Sequence, residues 1–304
     1  MATDFTPKDL EALLRYQNNW GRWGADDQLG ALNLIGPDKR REAAGLVRQG
    51  VTVSLSREFP TFPGPENPYP AQHYVVREFF PGEGACIDYY GISYHGYSAT
   101  HVDALCHVWE ENGMWNGRSA DEVIDSYGSR WGGVEKWSGG IITRGVLVDI
   151  PKFRQSPYVT VDEPVMDDDL ERACQQQGIT VSPGDALLVY SGRDAWDKDQ
   201  GPWGIRADGV PRPGLHASVL RFLRSKDVAV LGWDMMDATP HDFKGRHTVH
   251  LALPAFGVAL IDNCDLAPLA TACRAAGRYE FMLAVAPLVV RGGTGSPVNP
   301  IAVL

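Results

Sequence analysis

The sequence has few cysteines, and their spacing excludes several kinds of protein. Five cysteines occur in 304 residues, an odd number without a Cys-x-x-Cys pair. This pattern argues against a disulfide framework and favours reduced thiols in a cytoplasmic protein. The chain does not open with a basic segment and an apolar run, and its longest apolar run, residues 281–290, is too short to cross a bilayer. We therefore expect no signal peptide and no membrane contact.

Positive charge is also scarce, as are the motifs of several common enzyme classes. The net charge is -10, and no basic stripe is present to neutralise phosphates, which argues against a nucleic-acid partner. The sequence has no G-x-S-x-G elbow, and its glycine-rich segment at 292–295 lacks the Lys-Ser/Thr ending of a P-loop. A serine hydrolase and a nucleotide-binding protein are thus disfavoured.

Histidines, in contrast, are concentrated in one short stretch. Three of the eight lie within thirteen residues, His95, His101 and His107, and they surround Asp103. Side chains alternate faces in an extended segment, so His101 and Asp103 project the same way, roughly 6–7 Å apart along the chain. For His107 to join them, the chain must turn after Asp103. The stretch therefore predicts a metal site.

Imidazole and carboxylate ligands favour zinc, manganese or iron over calcium or magnesium, whose ligands are mainly oxygens. A structural role stays open for His95, since a single histidine is often a surface or hydrogen-bonded residue. The set of His101, Asp103 and His107 is flanked by apolar residues, and hydrated groups in such surroundings need partners or a metal.

A second polar cluster lies near residue 250. His247 and His250 are three residues apart, which predicts one face of a helix that ends at Pro254 and Gly257. The following segment, G-V-A-L-I-D, predicts a buried strand that ends at Asp262. An acidic side chain at the end of an apolar strand needs a cation, a donor or water.

The segment T-H-V-D-A-L-C-H resembles the signature of the cyclase family of metal-dependent hydrolases, usually written H-x-G-T-H-x-D-x-P-x-H. This family includes bacterial kynurenine formamidase and isatin hydrolase. The positions that match the signature are Thr100, His101, Asp103 and His107. The positions that depart from it are Tyr97, Ala99 and Leu105. His95 lies two residues before Tyr97, and it supplies the missing ligand only if the backbone there is bulged.

The resemblance extends to the second cluster. Relatives follow a histidine with an apolar run, a glycine, a strand and an acid-Asn pair, usually Glu-Asn. His250 and Asp262-Asn263 fit this pattern. The aspartate is one methylene shorter than glutamate, so a water or a rearranged backbone would have to bridge the gap. The segment around Trp20 and Trp23 resembles the N-terminal region of the longer-chain members.

The resemblance implies an α/β swivelling β/β/α fold with a mixed barrel-like central sheet and flanking helices. We expect a helical arm and loop at residues 1–50 that packs on a single domain at residues 51–304. The family usually forms homo-oligomers, so a homodimer or homotetramer is expected. The implied cofactor is one or two divalent ions, zinc or manganese, with Asp103 as the bridge if two bind. The expected metal ligands are His95, His101, Asp103, His107, His250 and Asp262.

The implied activity is that of a kynurenine formamidase-like amidohydrolase or lactonase. A metal-activated water would attack an amide, formamide, lactam or lactone of a small cyclic or aromatic substrate. His101, Asp103 and His107 are the candidate catalytic residues, with His107 as the proton shuttle unless it is a ligand. The alternatives are a metal-dependent cyclase or dehydratase, and a metal-stabilised binding protein without turnover.

Five residues are candidates for contact with the substrate. They are Trp20, Trp23, Ser191, Arg193 and Asp234. The two tryptophans either wall a pocket or anchor the N-terminal arm, and Arg193 is alternatively a solvated surface residue. Asp234 follows a short apolar strand, where it either orients a ligand or caps the next turn. Asp237 and His241 are expected to have only a loop role.

Overall fold

Buried apolar runs form one large mixed sheet. The computed structural model describes residues 5–204, 211–239, 243 and 247–304. Within these residues the strands are β1 (Thr52–Ser54), β2 (Gln72–Phe80), β3 (Glu83–Gly91), β4 (His101–Asp103), β5 (Ile124–Asp125), β6 (Gly128–Ser129), β7 (Ile141–Asp149), β8 (Ala186–Tyr190), β9 (Val230–Trp233), β10 (Ala259–Asp262), β11 (Glu280–Val285), β12 (Gly295–Pro297) and β13 (Ile301–Val303).

Nine of these strands form a single sheet, which curls into a half-barrel. The strand order is β1-β13-β11-β7-β8-β9-β10-β4-β12. Strands β7 to β10 are parallel, and all other pairs are antiparallel. The central strands β8, β9 and β10 are buried on both faces, as their continuous apolar sequences require. The prediction of an α/β fold with a mixed, barrel-like sheet and flanking helices is confirmed.

Helices cover the sheet. They are α1 (Pro7–Tyr16), α2 (Pro37–Ala44), α3 (Ala120–Val123), α4 (Ile150–Arg154), α5 (Asp167–Gln177), α6 (Arg193–Gln200), α7 (Val219–Ser225), α8 (Ala252–Phe256) and α9 (Ala267–Ala276). Short 3-10 turns occur at Gly30–Leu34, Trp115–Gly117, Val134–Trp137 and Val249–Leu251. None of the described helices is both long and apolar enough to span a membrane. All five cysteines are free thiols.

The sequence also explains where helices begin and end. Thr6 caps α1 through reciprocal bonds with Asp9, as expected for a threonine that precedes a helix with an acidic third residue. Helix α5 has three aspartates in its first turn, where they complement the helix dipole. It ends at Gly178, whose φ of 69° is a left-handed conformation that glycine adopts without strain.

The N-terminal arm packs on the sheet domain and shares its core. Leu10 and Leu13 are buried, and Lys39 pairs with Asp185 at 2.5 Å. The half-buried Trp20 donates its indole N–H to the carbonyl of Pro254 at 2.6 Å. Trp23 lies against the buried Trp115, with ring centroids 6.0 Å apart. These contacts make both tryptophans anchors of the arm.

Strands β2 and β3 pair only with each other, as a hairpin. One local expectation is wrong. The expected helix around His247 and His250 is replaced by a 3-10 turn that begins at Val249, followed by α8. His247 therefore lies before the turn rather than on a shared helical face.

Candidate metal centre

Strands β4 and β10 bring the two polar clusters together. The two strands are antiparallel neighbours, with His101 opposite Asp262 and Asp103 opposite Leu260. Residues directly opposite each other on adjacent strands have adjacent side chains. As a result, His101 Nε2 lies 3.3 Å from Asp103 Oδ1 and 3.8 Å from Asp262 Oδ2. His250 Nε2 lies 3.2 Å from the same Asp262 oxygen.

The carboxylate of Asp262 lies within 4 Å of two imidazoles of the cluster. Its position at the end of β10, opposite His101, places the short side chain directly beside the imidazoles. Its other oxygen accepts a bond from the indole N–H of Trp233 at 2.5 Å. Strand register thus places Asp262 beside the imidazoles, and the sequence alone does not reveal this register.

A tight turn after Asp103 brings His107 to the same place. The backbone N–H of His107 donates to the carbonyl of Ala104 at 2.9 Å. The intervening Leu105 and Cys106 are fully buried and fix the turn. His107 Nε2 then lies 3.8 Å from Asp103 Oδ1. The turn required by the sequence is thus present.

His95, rather than Tyr97, faces the cluster. His95 Nδ1 lies 3.0 Å from Asp103 Oδ1, and its ring stacks on that of His107 with centroids 3.8 Å apart. Tyr97 points elsewhere, since its hydroxyl accepts a bond from Arg212 at 2.9 Å. Gly96 between them has a φ of 153°, which L side chains rarely adopt. The backbone distortion needed for His95 to replace the missing histidine is therefore present.

Four of the six candidate ligands form hydrogen bonds through the atoms that face away from the cluster. The partner atoms are a backbone carbonyl, a hydroxyl, a carboxylate and an indole. The bonds join His101 Nδ1 to Ala99 O, His95 Nε2 to Thr294 Oγ1, His250 Nδ1 to Asp237 Oδ2, and Asp262 Oδ1 to Trp233 Nε1. Outer bonds of this kind orient histidine and carboxylate ligands around metals. The inner atoms are left to converge on a common point.

Asp103 is the centre of this arrangement. Its side chain is fully buried, yet neither oxygen has a hydrogen-bond partner among the described residues, and the same holds for His95 Nδ1. Buried polar atoms without partners call for an unseen water or ion. Neighbouring inner atoms lie 3.0–4.0 Å apart. Ligands about 2.0–2.2 Å from a tetrahedral ion lie about 3.3–3.6 Å from each other, so the residues fit a divalent metal.

Five of the six inner side chains form two overlapping groups of potential ligands. One consists of His95, Asp103 and His107, and the other of His101, Asp103 and Asp262. Asp103 belongs to both, so the arrangement can hold one ion, or two ions bridged by this carboxylate. His250 Nε2 adjoins the second group. The side chains of His95 and His107 are about a quarter exposed, whereas the other four are almost completely buried.

Burial and the neighbouring charges shift the pKa values of the buried groups in the cluster. Burial opposes charge on His101, but attraction to Asp103 and Asp262 outweighs it and raises the pKa of His101 to about 9. Burial likewise disfavours ionisation of Asp103, but His107 and His101 hold the pKa of its carboxyl well below the usual range. The pKa of His107 shifts in the opposite direction to that of His101. Burial and the neighbouring imidazoles lower its pKa to about 4, against the attraction of Asp103.

Asp237 contacts the centre, which corrects the expectation of a loop role only. It is buried, and its two oxygens accept bonds from the backbone N–H of Val249 at 2.6 Å and from His250 Nδ1 at 2.5 Å. Burial disfavours the charge on His250, but Asp237 and Asp262 raise its pKa well above the usual value. His247 Nδ1 lies 3.6 Å from Asp237. His241 lies outside the described residues. In the sequence, Asp234 is identified as a candidate because it directly follows the apolar strand β9. Asp237 lies three residues later and is not identified by this signal.

The loop after β8 is held by Asp234. This buried carboxylate accepts bonds at 2.7–3.0 Å from four backbone N–H groups, those of Ser191, Gly192, Arg193 and Met235. Arg193 is also buried, so it is not a solvated surface residue, and it donates to the carbonyls of Tyr97 and Trp203. These contacts give Asp234 and Arg193 a structural role. Contact of Ser191, Arg193 and Asp234 with a substrate stays a prediction.

The model of the Cyclase family, described as "Putative cyclase", matches residues 50–240. Among solved structures, a "novel cyclase" is 30% identical, with a TM-score of 0.81 over 94% of this chain and 97% of the other. An isatin hydrolase A from Ralstonia solanacearum is 20% identical, with a TM-score of 0.56 over 86% and 95%. A protein described as a "predicted metal-dependent hydrolase", from Bacillus stearothermophilus, is 13% identical, with a TM-score of 0.51 over 83% and 97%. No curated protein sequence matches the chain.

Proposed function

Because this chain belongs to the Cyclase family, we propose that it is a metal-dependent hydrolase that cleaves or opens an amide, formamide, lactam or lactone. The observation that carries the proposal is the convergence of four imidazoles and two carboxylates, four of which are oriented by hydrogen bonds to their outer atoms. The structures of isatin hydrolase A and of the predicted metal-dependent hydrolase, which have the same fold, support this choice of reaction class.

The most buried of these side chains would hold the cation. They are His101, Asp103, His250 and Asp262. A divalent ion in this position polarises a carbonyl oxygen and makes a bound water more acidic. Zinc and manganese suit this mixture of nitrogen and oxygen donors best. Hydrogen bonds with Ala99, Asp237 and Trp233 hold the side chains of His101, His250 and Asp262 in place. These ligands would therefore need little reorganisation when the metal binds.

His107 is suited to move protons. It lies at the more exposed side of the cluster, next to Asp103 and stacked on His95. In hydrolysis the oxygen of water adds to the carbonyl carbon, the bond to the leaving nitrogen or oxygen breaks, and that atom needs a proton. A neutral imidazole accepts a proton from the water and delivers it to the leaving atom. His95 beside it either serves as a further ligand or keeps the ring of His107 in place.

Elemental analysis of the purified protein, together with a screen of N-formyl, lactam and lactone substrates, tests the proposal. His107→Ala should keep its metal and fold but lose at least about 100-fold in kcat. His73→Ala is the matched control, since His73 is a partly exposed histidine paired with an aspartate, Asp88, outside the centre. Protein without stoichiometric metal, or full turnover after chelation, would refute the assignment.

The same screen separates the alternative functions. A cyclase or dehydratase of this centre would release water or close a ring without consuming water, so mass spectrometry in H₂¹⁸O would find no label in the product. A metal-stabilised binding protein would bind metal and ligand without turnover in the parent protein. Incorporation of one ¹⁸O atom into the product acid supports the hydrolase.

A further inference from the structure

A cavity of about 310 Å³ lies beside the loop that follows β1. This volume is at the lower end of the range of small-molecule sites, which is about 300–1,000 Å³. Among the described residues that line it are Arg57, Glu66 and Arg193. We call it the Arg57 cavity. No candidate metal ligand lines it in the part of the chain that the structure describes, so the metal centre does not explain it.

Three buried polar atoms of the Arg57 cavity have no hydrogen-bond partner among the described residues. They are Arg57 Nε, Glu66 Oε2 and Arg193 Nε. The charge of Arg193 is nevertheless balanced, because Asp197 Oδ2 lies 3.7 Å from its Nε. Arg57 has no such carboxylate within 4 Å in the described chain, and its guanidinium donates one long bond, 3.4 Å, to the carbonyl of Cys264. One cation and one carboxylate oxygen are therefore without partners.

Arg57 and Glu66 also do not pair with each other, although both line the same cavity. Partly buried charges without partners are costly, and buried polar atoms without partners call for an unseen group. A guanidinium binds a carboxylate through two parallel hydrogen bonds, and an ammonium group donates hydrogen bonds to a carboxylate. One ligand that carries both groups, a zwitterion, would satisfy both residues at once.

Apolar side chains complete the lining of the cavity. Phe59, Pro60 and Phe62 contribute to it. Phe62 is 84% exposed, so a large apolar surface beside the charged groups is open to a ligand. Small-molecule sites typically combine apolar walls with a few polar groups that fix the orientation of the ligand. The lining therefore suits a molecule with two opposite charges at one end and an apolar group at the other.

We propose that the Arg57 cavity is a second ligand site, which binds an amino acid with an apolar side chain. Arg57 holds the carboxylate of this ligand, and Glu66 accepts hydrogen bonds from its ammonium group. The apolar side chain of the ligand packs on Phe59 and Phe62. Glu58 also lines the cavity, but it is exposed, so water solvates its carboxylate. A ligand without net charge thus matches the two unpaired groups.

Hydrogen bonds connect this cavity to the metal centre from behind. Arg193 donates to Asn263 Oδ1 at 2.8 Å, and Asn263 Nδ2 donates to the carbonyl of Ala99 at 3.0 Å. The same carbonyl accepts a bond from His101 Nδ1 at 2.8 Å. This atom of His101 faces away from the cluster, so a ligand in the cavity would lie behind His101 and away from the cation. The ligand is accordingly an effector that is distinct from the substrate.

Three related compounds test the two charged contacts separately. L-phenylalanine carries both charges, whereas 3-phenylpropionate lacks the ammonium group and phenethylamine lacks the carboxylate. Isothermal titration calorimetry should show that the wild type binds L-phenylalanine at least about 10-fold more tightly than either analogue, because each analogue lacks one set of charge-assisted hydrogen bonds. Arg57→Gln should abolish the preference over phenethylamine, and Glu66→Gln the preference over 3-phenylpropionate. A merely structural role of either residue would not produce this exchange of preferences.

Two further variants serve as controls. Glu83→Gln removes an exposed carboxylate on the β2–β3 hairpin, and His107→Ala changes the metal centre but not the cavity. Both should bind L-phenylalanine like the wild type, and circular dichroism should show that all variants are folded. Lack of L-phenylalanine binding by the wild type, unchanged preferences in Arg57→Gln and Glu66→Gln, or loss of binding in His107→Ala would overturn the proposal. Because this assay does not involve turnover, its outcome is independent of the proposed function.

Discussion

Asp237 provides the most discriminating test of the centre, because its hydrogen bond to a candidate ligand is the one with His250. In Asp237→Asn the side chain keeps its shape but has one oxygen acceptor instead of two. The backbone N–H of Val249 and His250 Nδ1–H both need an acceptor, so one buried bond is lost. Bonds to charged groups contribute about 1.5–3 kcal/mol each, and ligand-orienting partners typically account for a 10–100-fold effect on metal affinity or activity.

Competition with a chelator of known affinity measures the metal dissociation constant, and initial rates give kcat/KM. Asp237→Asn should weaken metal binding or lower kcat/KM by about 10–100-fold, equivalent to about 1.4–2.8 kcal/mol. The matched control is Asp234→Asn, another buried aspartate three residues earlier, whose partners are backbone N–H groups. That variant should lose stability but keep its metal affinity.

The reasoning would be refuted in either of two ways. Asp237→Asn with wild-type metal affinity and turnover would mean that His250 needs no orienting partner. Equal losses in Asp237→Asn and Asp234→Asn would mean that Asp237 is only a structural residue of the loop. In contrast, a selective effect at Asp237 would connect the residues after β9 to the centre.

Three further outcomes are expected. Removing metal with a chelator should lower the free energy of unfolding by about 4 kcal/mol relative to protein at 1,000 times the dissociation constant, and differential scanning calorimetry should show a lower Tm that metal restores. His95→Ala should weaken metal binding at least about 10-fold. Tyr97→Phe loses only the hydrogen bond from Arg212 and should leave metal binding unchanged. Equal effects of both variants would contradict the assignment of His95 as the residue that replaces the missing histidine. The two hydrogen bonds from Arg22 lower the pKa of Asp227, although burial opposes this shift. Asp227→Asn should therefore lower the free energy of unfolding by about 1 kcal/mol at pH 6, measured by urea unfolding. Because the folded-state pKa is depressed, the wild-type advantage should be complete above the unfolded pKa of about 3.9 and be lost as the pH falls through the lower folded-state pKa. A wild-type advantage that does not decrease as the pH is lowered would contradict the ion pair.

The exposed hairpin shows how local pattern and tertiary structure differ in what they reveal. Alternating residues predict that both segments are strands, and they are. The same alternation cannot reveal the partner of a strand, because pairing is decided by register and distant contacts. The two strands pair only with each other and not with the nine-stranded sheet. The exposure of the hairpin is therefore visible only in the folded chain.

The sequence by itself determined the central strands and the core of the metal motif. Continuous apolar runs specify buried parallel strands, and the spacing of His101, Asp103 and His107 places three potential ligands around one tight turn.

Tertiary structure alone decided the remaining contacts of the centre. The register of β4 against β10 joined Asp262 to His101, and the positive φ of Gly96 turned His95 inward in place of Tyr97. The fold also placed Asp237 behind His250. Such contacts depend on side chains far apart in sequence or on single backbone angles, and periodicity and propensity do not encode either one.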